Sequence, residues 1–230
     1  MNDFLQQLIT FDQSLLLQLN GSESFFWDRV MMVITSTAVS VPMFVVLLYV
    51  LVRNSTPKYF WMTLLSIVLT VVVCDQVASG ICKPLFLRFR PTQDPSLMYL
   101  VDVVDGYRGG RYGFISSHAS NTFGLCVFLS LLFRHRGLSV LLFIWASLST
   151  YSRIYLGVHY PGDILFGCLV GCLSGYLFHR LLLWVSNRMG CVRGGSSSLC
   201  TSTGFLVSDV NLIVLTLLLT YAIIPIWAVI

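Results

Sequence analysis

Lys83-Pro84-Leu85-Phe86-Leu87-Arg88-Phe89-Arg90-Pro91 sets Lys83 and Arg90 seven residues apart in an otherwise apolar stretch. On a helix that spacing is two turns, so both would share a face. Two fixed cations suit a dianion such as a phosphate monoester, the guanidinium gripping two oxygens and the ammonium acting as a point charge. Ordinary interfacial snorkelling accounts for the same pair. Ser116-Ser117-His118 opens an apolar run with no acid in its first turn. A helix N-terminus there offers free N–H groups and a positive dipole end to an anion, and His118 could hold a proton for a leaving oxygen. A plain serine N-cap explains the serines but not His118. Ser152-Arg153 adds a third cation, and His159 stands four residues before Asp163 across Pro161-Gly162. A carboxylate that accepts one ring N–H fixes the tautomer and frees the other nitrogen. This is the orienting arrangement of a catalytic triad with histidine itself as nucleophile. Its rival is a structural His–Asp pair with Asp163 as N-cap.

The elements that must bring these stretches together are membrane helices. Of 230 residues, 56% are hydrophobic and 10% charged, against roughly 25% charged in soluble domains. The fold class expected is all-α: a polytopic membrane helical bundle of five to six transmembrane helices plus an N-terminal interfacial helix. Apolar runs at about 30–52, 59–78, 118–133, 138–151 and 163–185 are near the length that crosses hydrocarbon. Residues 1–188 form the bundle, 189–204 read as a flexible linker rich in Gly, Ser, Thr and Cys, and 205–230 as an additional C-terminal apolar helix, either a span or a helix on the rim. The amphipathic stretch from Phe4 to Leu17, ended by Asn20-Gly21, reads as the interfacial helix, with Phe25, Phe26 and Trp27 as an aromatic anchor. Residues 1–30 carry Asp3, Asp12, Glu23 and Asp28 and lack the basic start of a signal peptide.

Arg53, Lys58, Arg134, Arg136, Arg180, Arg188 and Arg193 gather on one face, opposed only by Asp209. Those short basic connectors place that face in the cytoplasm. The segment 82–117, His159 and Asp163 then lie outside, so all three clusters fall on one membrane face. Gly167, Gly171 and Gly175 recur every four residues, which predicts close helix packing within the bundle, or a dimer face. The seven cysteines lack a CxxC and read as packing residues. The net charge of +4 is dispersed, which argues against a nucleic-acid partner.

Lys83-x6-Arg90-Pro91, Ser116-Ser117-His118 and Ser152-Arg153-x5-His159-x3-Asp163 resemble the three signature motifs of the type-2 phosphatidic acid phosphatases. That superfamily includes bacterial membrane lipid phosphate phosphatases, glucose 6-phosphatase and vanadium haloperoxidases. The first and third motifs match in full. In the second, Ile115-Ser116-Ser117-His118 stands where the family usually has Pro-Ser-Gly-His. The resemblance implies that Lys83, Arg90 and Arg153 bind phosphate oxygens, with Ser116 and the Ser117 N–H adding hydrogen bonds. It implies that His159 attacks phosphorus to give a phosphohistidine, that His118 serves the leaving oxygen and then water, and that Asp163 orients His159. No metal and no cofactor is implied, three cations taking the place that Mg2+ fills elsewhere.

A site at a membrane surface points to an amphiphilic substrate: undecaprenyl diphosphate, phosphatidylglycerol phosphate, phosphatidic acid or a lipid A phosphate. The segment 92–115 would shape the head-group pocket, with Arg108 and Arg111 as head-group contacts or merely solvated loop charges. The short loops suggest a bacterial inner membrane with the site facing the periplasm or outside. A membrane anion or phospholipid transporter with a basic pathway is the competing reading. It would not require His118, His159 and Asp163 together.

Overall fold

The computed structural model describes residues 3–22, 24–191 and 198–229. Glu23, Arg193, residues 192–197 of the expected linker and Ile230 at the end of the closing apolar run lie outside the described residues. Helix α1 (Asp3–Leu19) exposes Phe4, Leu5, Leu8 and Phe11 and buries Leu16, as an interfacial helix should. Gly21, at a φ of +65°, turns the chain after it.

The expected first span is broken. Helix α2 (Phe25–Thr35) stops at Ser36, a 3-10 turn covers Thr37–Ser40, and α3 (Val41–Asn54) follows. The cause is local: the Ser36 hydroxyl accepts the Ala38 N–H and ends α2, and Pro42 sits in the first turn of α3. Helix α4 (Pro57–Asp75) is capped by the Thr56 hydroxyl. It runs on through a π-helical stretch, Gln76–Cys82, into the single turn of α5 (Lys83–Phe86). The rest of the bundle is α6 (Ser117–Phe133), α7 (Arg136–Tyr155), α8 (Pro161–Arg188) and α9 (Val207–Val229). Residues 37–54, 57–86, 136–155, 161–188 and 207–229 are long and apolar enough to cross a membrane. The 17-residue α6 lies at the lower limit.

Helices α6, α7 and α8 pack together with α4, and α9 packs against α2, α3 and α7. Val210, Ile213 and Leu217 of α9 are buried in the main apolar core with Leu47 and Leu142. From residue 198 on, the segment before α9 is tied down: Thr203 donates to the Phe133 carbonyl, and Asn54 accepts the Leu206 N–H.

The glycine repeat is a seam inside the bundle. A Cβ built on Gly167 would lie 2.6 Å from the Ser116 carbonyl oxygen, and Cβ atoms on Gly171 and Gly175 would collide with the carbonyls of Ser120 and Gly124. Backbone therefore meets backbone along α6 and α8. The seam fixes the start of α6 against the start of α8, where the Ser116 N–H donates to the Asp163 carbonyl at 3.1 Å.

Candidate active site

Asp163 is the hub. It is the third residue of α8 and fully buried. Its Oδ2 accepts the Tyr160 N–H at 3.1 Å, so Asp163 closes a capping box from the third helical position, with Tyr160 as the N-cap. The same oxygen lies 3.4 Å from Nδ1 of His159, a loose contact. Asp163 is thus not the N-cap that the structural alternative made it, but the third residue of the helix, reaching back to Tyr160. Oδ1 accepts from Arg88 at 2.9 Å. Arg88 also donates to Asp12 of α1 at 2.7 Å and stacks over the Tyr160 ring at 4.0 Å. Asp12 in turn accepts the Gly162 N–H. Sequence reasoning noted Arg88 and Asp12 only as interfacial charges; nothing in their spacing announces a partner far along the chain.

The three cations converge by different routes. Arg153, at the last turn of α7, is 2% exposed. It donates to the Thr35 hydroxyl at 2.6 Å and to the Tyr107 hydroxyl at 3.0 Å. Its Nε is buried with no hydrogen-bond partner among the described residues. Lys83 donates to Ser79 at 2.9 Å and reaches Ser117 at 3.5 Å, and Ser79 donates to Asp75. Arg90 donates from Nε to the Tyr112 carbonyl at 3.1 Å.

Lys83 and Arg90 do not share a helix face, as the seven-residue spacing had suggested. The helix ends at Phe86, Leu87 takes a left-handed φ of 48°, and Arg90 is extended. The stretch 88–90 instead pairs with 111–113: Arg90 donates to the Arg111 carbonyl, and the Gly113 N–H to the Arg88 carbonyl. Tertiary pairing has taken the backbone groups that a longer helix would have used. Gly113 lies against the site, where a Cβ would stand 3.0 Å from Asp163 Oδ2, 3.2 Å from Arg90 Cγ and 3.5 Å from His159 Nδ1. Any side chain there would press on the His159–Asp163 pair.

His159 is 1% exposed. Burial first, and then the charges of Arg90, Arg153 and Lys83, hold its imidazole well below the usual range, which favours the uncharged ring. His118 is half-buried in the first turn of α6. Ser116 is fully buried and caps α6 by accepting the Ala119 N–H, while Ser117 carries the hydroxyl nearer to Lys83. Arg108 and Arg111 have local occupations. Arg108 donates to the Thr92 carbonyl, and Arg111 stacks on Phe89 and Tyr112.

All of the motif residues fall within residues 59–186, the stretch matched by the PAP2 superfamily. The chain belongs to that superfamily. It is 40% identical over 190 residues to a lipid A 4'-phosphatase of Bacteroides thetaiotaomicron, covering 82% of this chain and 83% of that protein. It is 34% identical over 184 residues to a lipid A 4'-phosphatase of Porphyromonas gingivalis, covering 80% and 78%. The crystal structure of Aquifex aeolicus LpxE shares the fold, with a TM-score of 0.54 at 23% identity over 73% of this chain and 93% of that one. Membership makes the chain an integral membrane lipid phosphate phosphatase that works without a metal ion, and the transporter reading gives way.

Proposed function

We propose that this chain removes a phosphate monoester from a lipid A-type glycolipid at the periplasmic face of a bacterial inner membrane, through a phosphohistidine on His159. The observation that carries the chemistry is a buried His159 with Asp163 3.4 Å from Nδ1, set among Arg90, Arg153 and Lys83. With the proton held on Nδ1, Nε2 keeps its lone pair. Nε2 attacks phosphorus in line, the N–P bond forms, and the P–O bond to the sugar breaks. His118 gives its proton to the departing oxygen. A water then attacks phosphorus, passes its proton to His118, and the N–P bond breaks to release inorganic phosphate. Arg90, Arg153 and Lys83 hold the three non-bridging oxygens through both steps. The unpartnered Nε of Arg153 is a donor this role would use.

The glycolipid substrate is supported by the two relatives, each named a lipid A 4'-phosphatase and each matched over more than three quarters of its length. The periplasmic face is supported by the opposite end of the bundle, where α3 ends with Arg53, Lys58 opens α4, and Arg134 and Arg136 join α6 to α7. Phosphate release by purified protein from lipid A, phosphatidic acid, phosphatidylglycerol phosphate and undecaprenyl diphosphate in detergent tests the substrate. Lipid A should be hydrolysed fastest, with EDTA without effect. His159→Ala should insert and fold yet release no phosphate above background; turnover within tenfold of the parent would remove the nucleophile. Preference for undecaprenyl diphosphate would overturn the glycolipid assignment.

A further inference from the structure

Beside His118 the helices line a half-open cavity of about 260 Å3. His118, Asn121, Thr122 and Leu125 all line it, a spacing that puts them on one face of α6. From His118 to Leu125 the helix descends about 10 Å, so the cavity reaches well below the phosphate site. The facing wall exists because α2 and α3 are broken: Thr35, Ser36 and Ser40 line it where a continuous helix would have presented packed side chains. Thr35 also accepts the hydrogen bond from Arg153. The cavity therefore begins where the phosphate site ends, between the residue that serves the leaving oxygen and a residue that holds phosphate.

Most polar groups in this wall are already occupied. Thr122 donates to the His118 carbonyl, and Ser40 accepts from Trp145. Asn121 differs: its Oδ1 is buried with no hydrogen-bond partner among the described residues. Leaving such an acceptor unmet costs roughly 1–3 kcal/mol, and Asn121 lines the cavity, so a small rotation of its amide would turn Oδ1 toward a donor held there. The cavity is smaller than the roughly 300–1,000 Å3 usual for drug-sized ligands, so it takes one segment of a substrate and not a whole lipid. Ser36 also lines a second, apolar groove of about 510 Å3 with Val33, Val39, Ile224 and Trp227. That groove gives an attached acyl chain an apolar course beside α9.

We propose that this cavity holds the part of the substrate that departs with the ester oxygen, and that Asn121 selects leaving groups carrying a hydrogen-bond donor, an amide N–H or a hydroxyl, beside the phosphorylated carbon. An N-acylated amino sugar carries such donors, and a diacylglycerol does not. The inference rests on the reading of this site as a lipid phosphatase.

The test uses the full chain in detergent with two substrates, a lipid-linked N-acylglucosamine phosphate and a short-chain phosphatidic acid. The quantity read is the ratio of kcat/KM for the sugar substrate to that for phosphatidic acid. Asn121→Ala and Asn121→Leu should each lower that ratio about tenfold. Ser149→Leu, which fills the cavity from α7 without touching Asn121, should lower it in the same direction, and it serves if the Asn121 variants do not fold. An unchanged ratio in the folded variants, or equal loss on both substrates, overturns the selection role. No phosphate release by the parent protein from either substrate would instead overturn the reading of the site beneath it.

Discussion

Gly167 is the point at which the helix seam and the chemistry can be separated from one another. Substitution with alanine adds a Cβ 2.6 Å from the Ser116 carbonyl oxygen and 2.9 Å from the Ala119 Cβ. Ordinary contact begins near 3.4 Å, so α8 must move from α6 by the difference, about 0.8 Å, because the obstructing atom is backbone and cannot rotate away. That displacement falls one turn below Asp163 and directly under Ser117 and His118. It therefore shifts His118 against His159, and under the proposed mechanism a misplacement near 1 Å lowers rate on the order of 100-fold. The overpacking itself destabilises by about 1–3 kcal/mol, partly offset by about 1 kcal/mol of better helix propensity, so the variant should still fold. Phosphate release from a detergent-dispersed substrate, with size-exclusion profile and melting temperature measured alongside, reads both effects. Gly110→Ala is the control, since a Cβ at Gly110 meets nothing within 4 Å. It should stay within about twofold of the parent. Gly167→Ala retaining a third or more of the parent rate would mean that the seam does not set the distance between the two histidines.

Arg88→Met leaves the carboxylates of Asp163 and Asp12 without their shared partner. It should destabilise by about 3–5 kcal/mol, seen as a large drop in melting temperature together with loss of phosphate release. Arg88→Lys should fall between, keeping the charge but losing the two-pronged contact and the stacking on Tyr160; a Met variant that melts with the parent refutes the linchpin role. For His159, the folded imidazole is held below its unfolded value of about 6.5, so below that pH the unfolded chain binds more protons. Its contribution is therefore fully present above pH 6.5 and lost as pH falls, by up to about 1.4 kcal/mol per pH unit. Melting in phosphate-free buffer between pH 7.5 and 5.5 should show a steeper acid decline in the parent than in His159→Gln; parallel curves would mean that His159 is not buried neutral.

What the sequence disclosed follows from how local each signal is. His159 and Asp163 sit four residues apart, and the structure brings them together. Gly167, Gly171 and Gly175 carry their own period, and the seam lies where that period says. The break at Ser36–Ser40 had a signal too, in Ser36, Thr37, Ser40 and Pro42, but an apolar run of spanning length outweighed it. The end of the helix at Phe86 had none: Leu87 is neither glycine nor asparagine, and only pairing with 111–113 explains its left-handed backbone. Arg88 and Asp12 were hidden for the same reason, since each is a lone interfacial charge until the fold supplies its counterpart. Asn121 reads as one more polar residue on an apolar helix, and only a bounded cavity gives its unmet acceptor meaning.

The clasp made by α1 has a consequence for biosynthesis. Asp12 precedes its partners Arg88 and Gly162 by 76 and 150 positions. The clasp cannot close until the last of them has been translated and inserted, so a nascent chain halted before residue 159 lacks His159, Asp163 and the Gly162 end of the latch. On the proposed mechanism, hydrolytic competence waits on residues 159–163, and the chain made before them cannot act on the lipids around it.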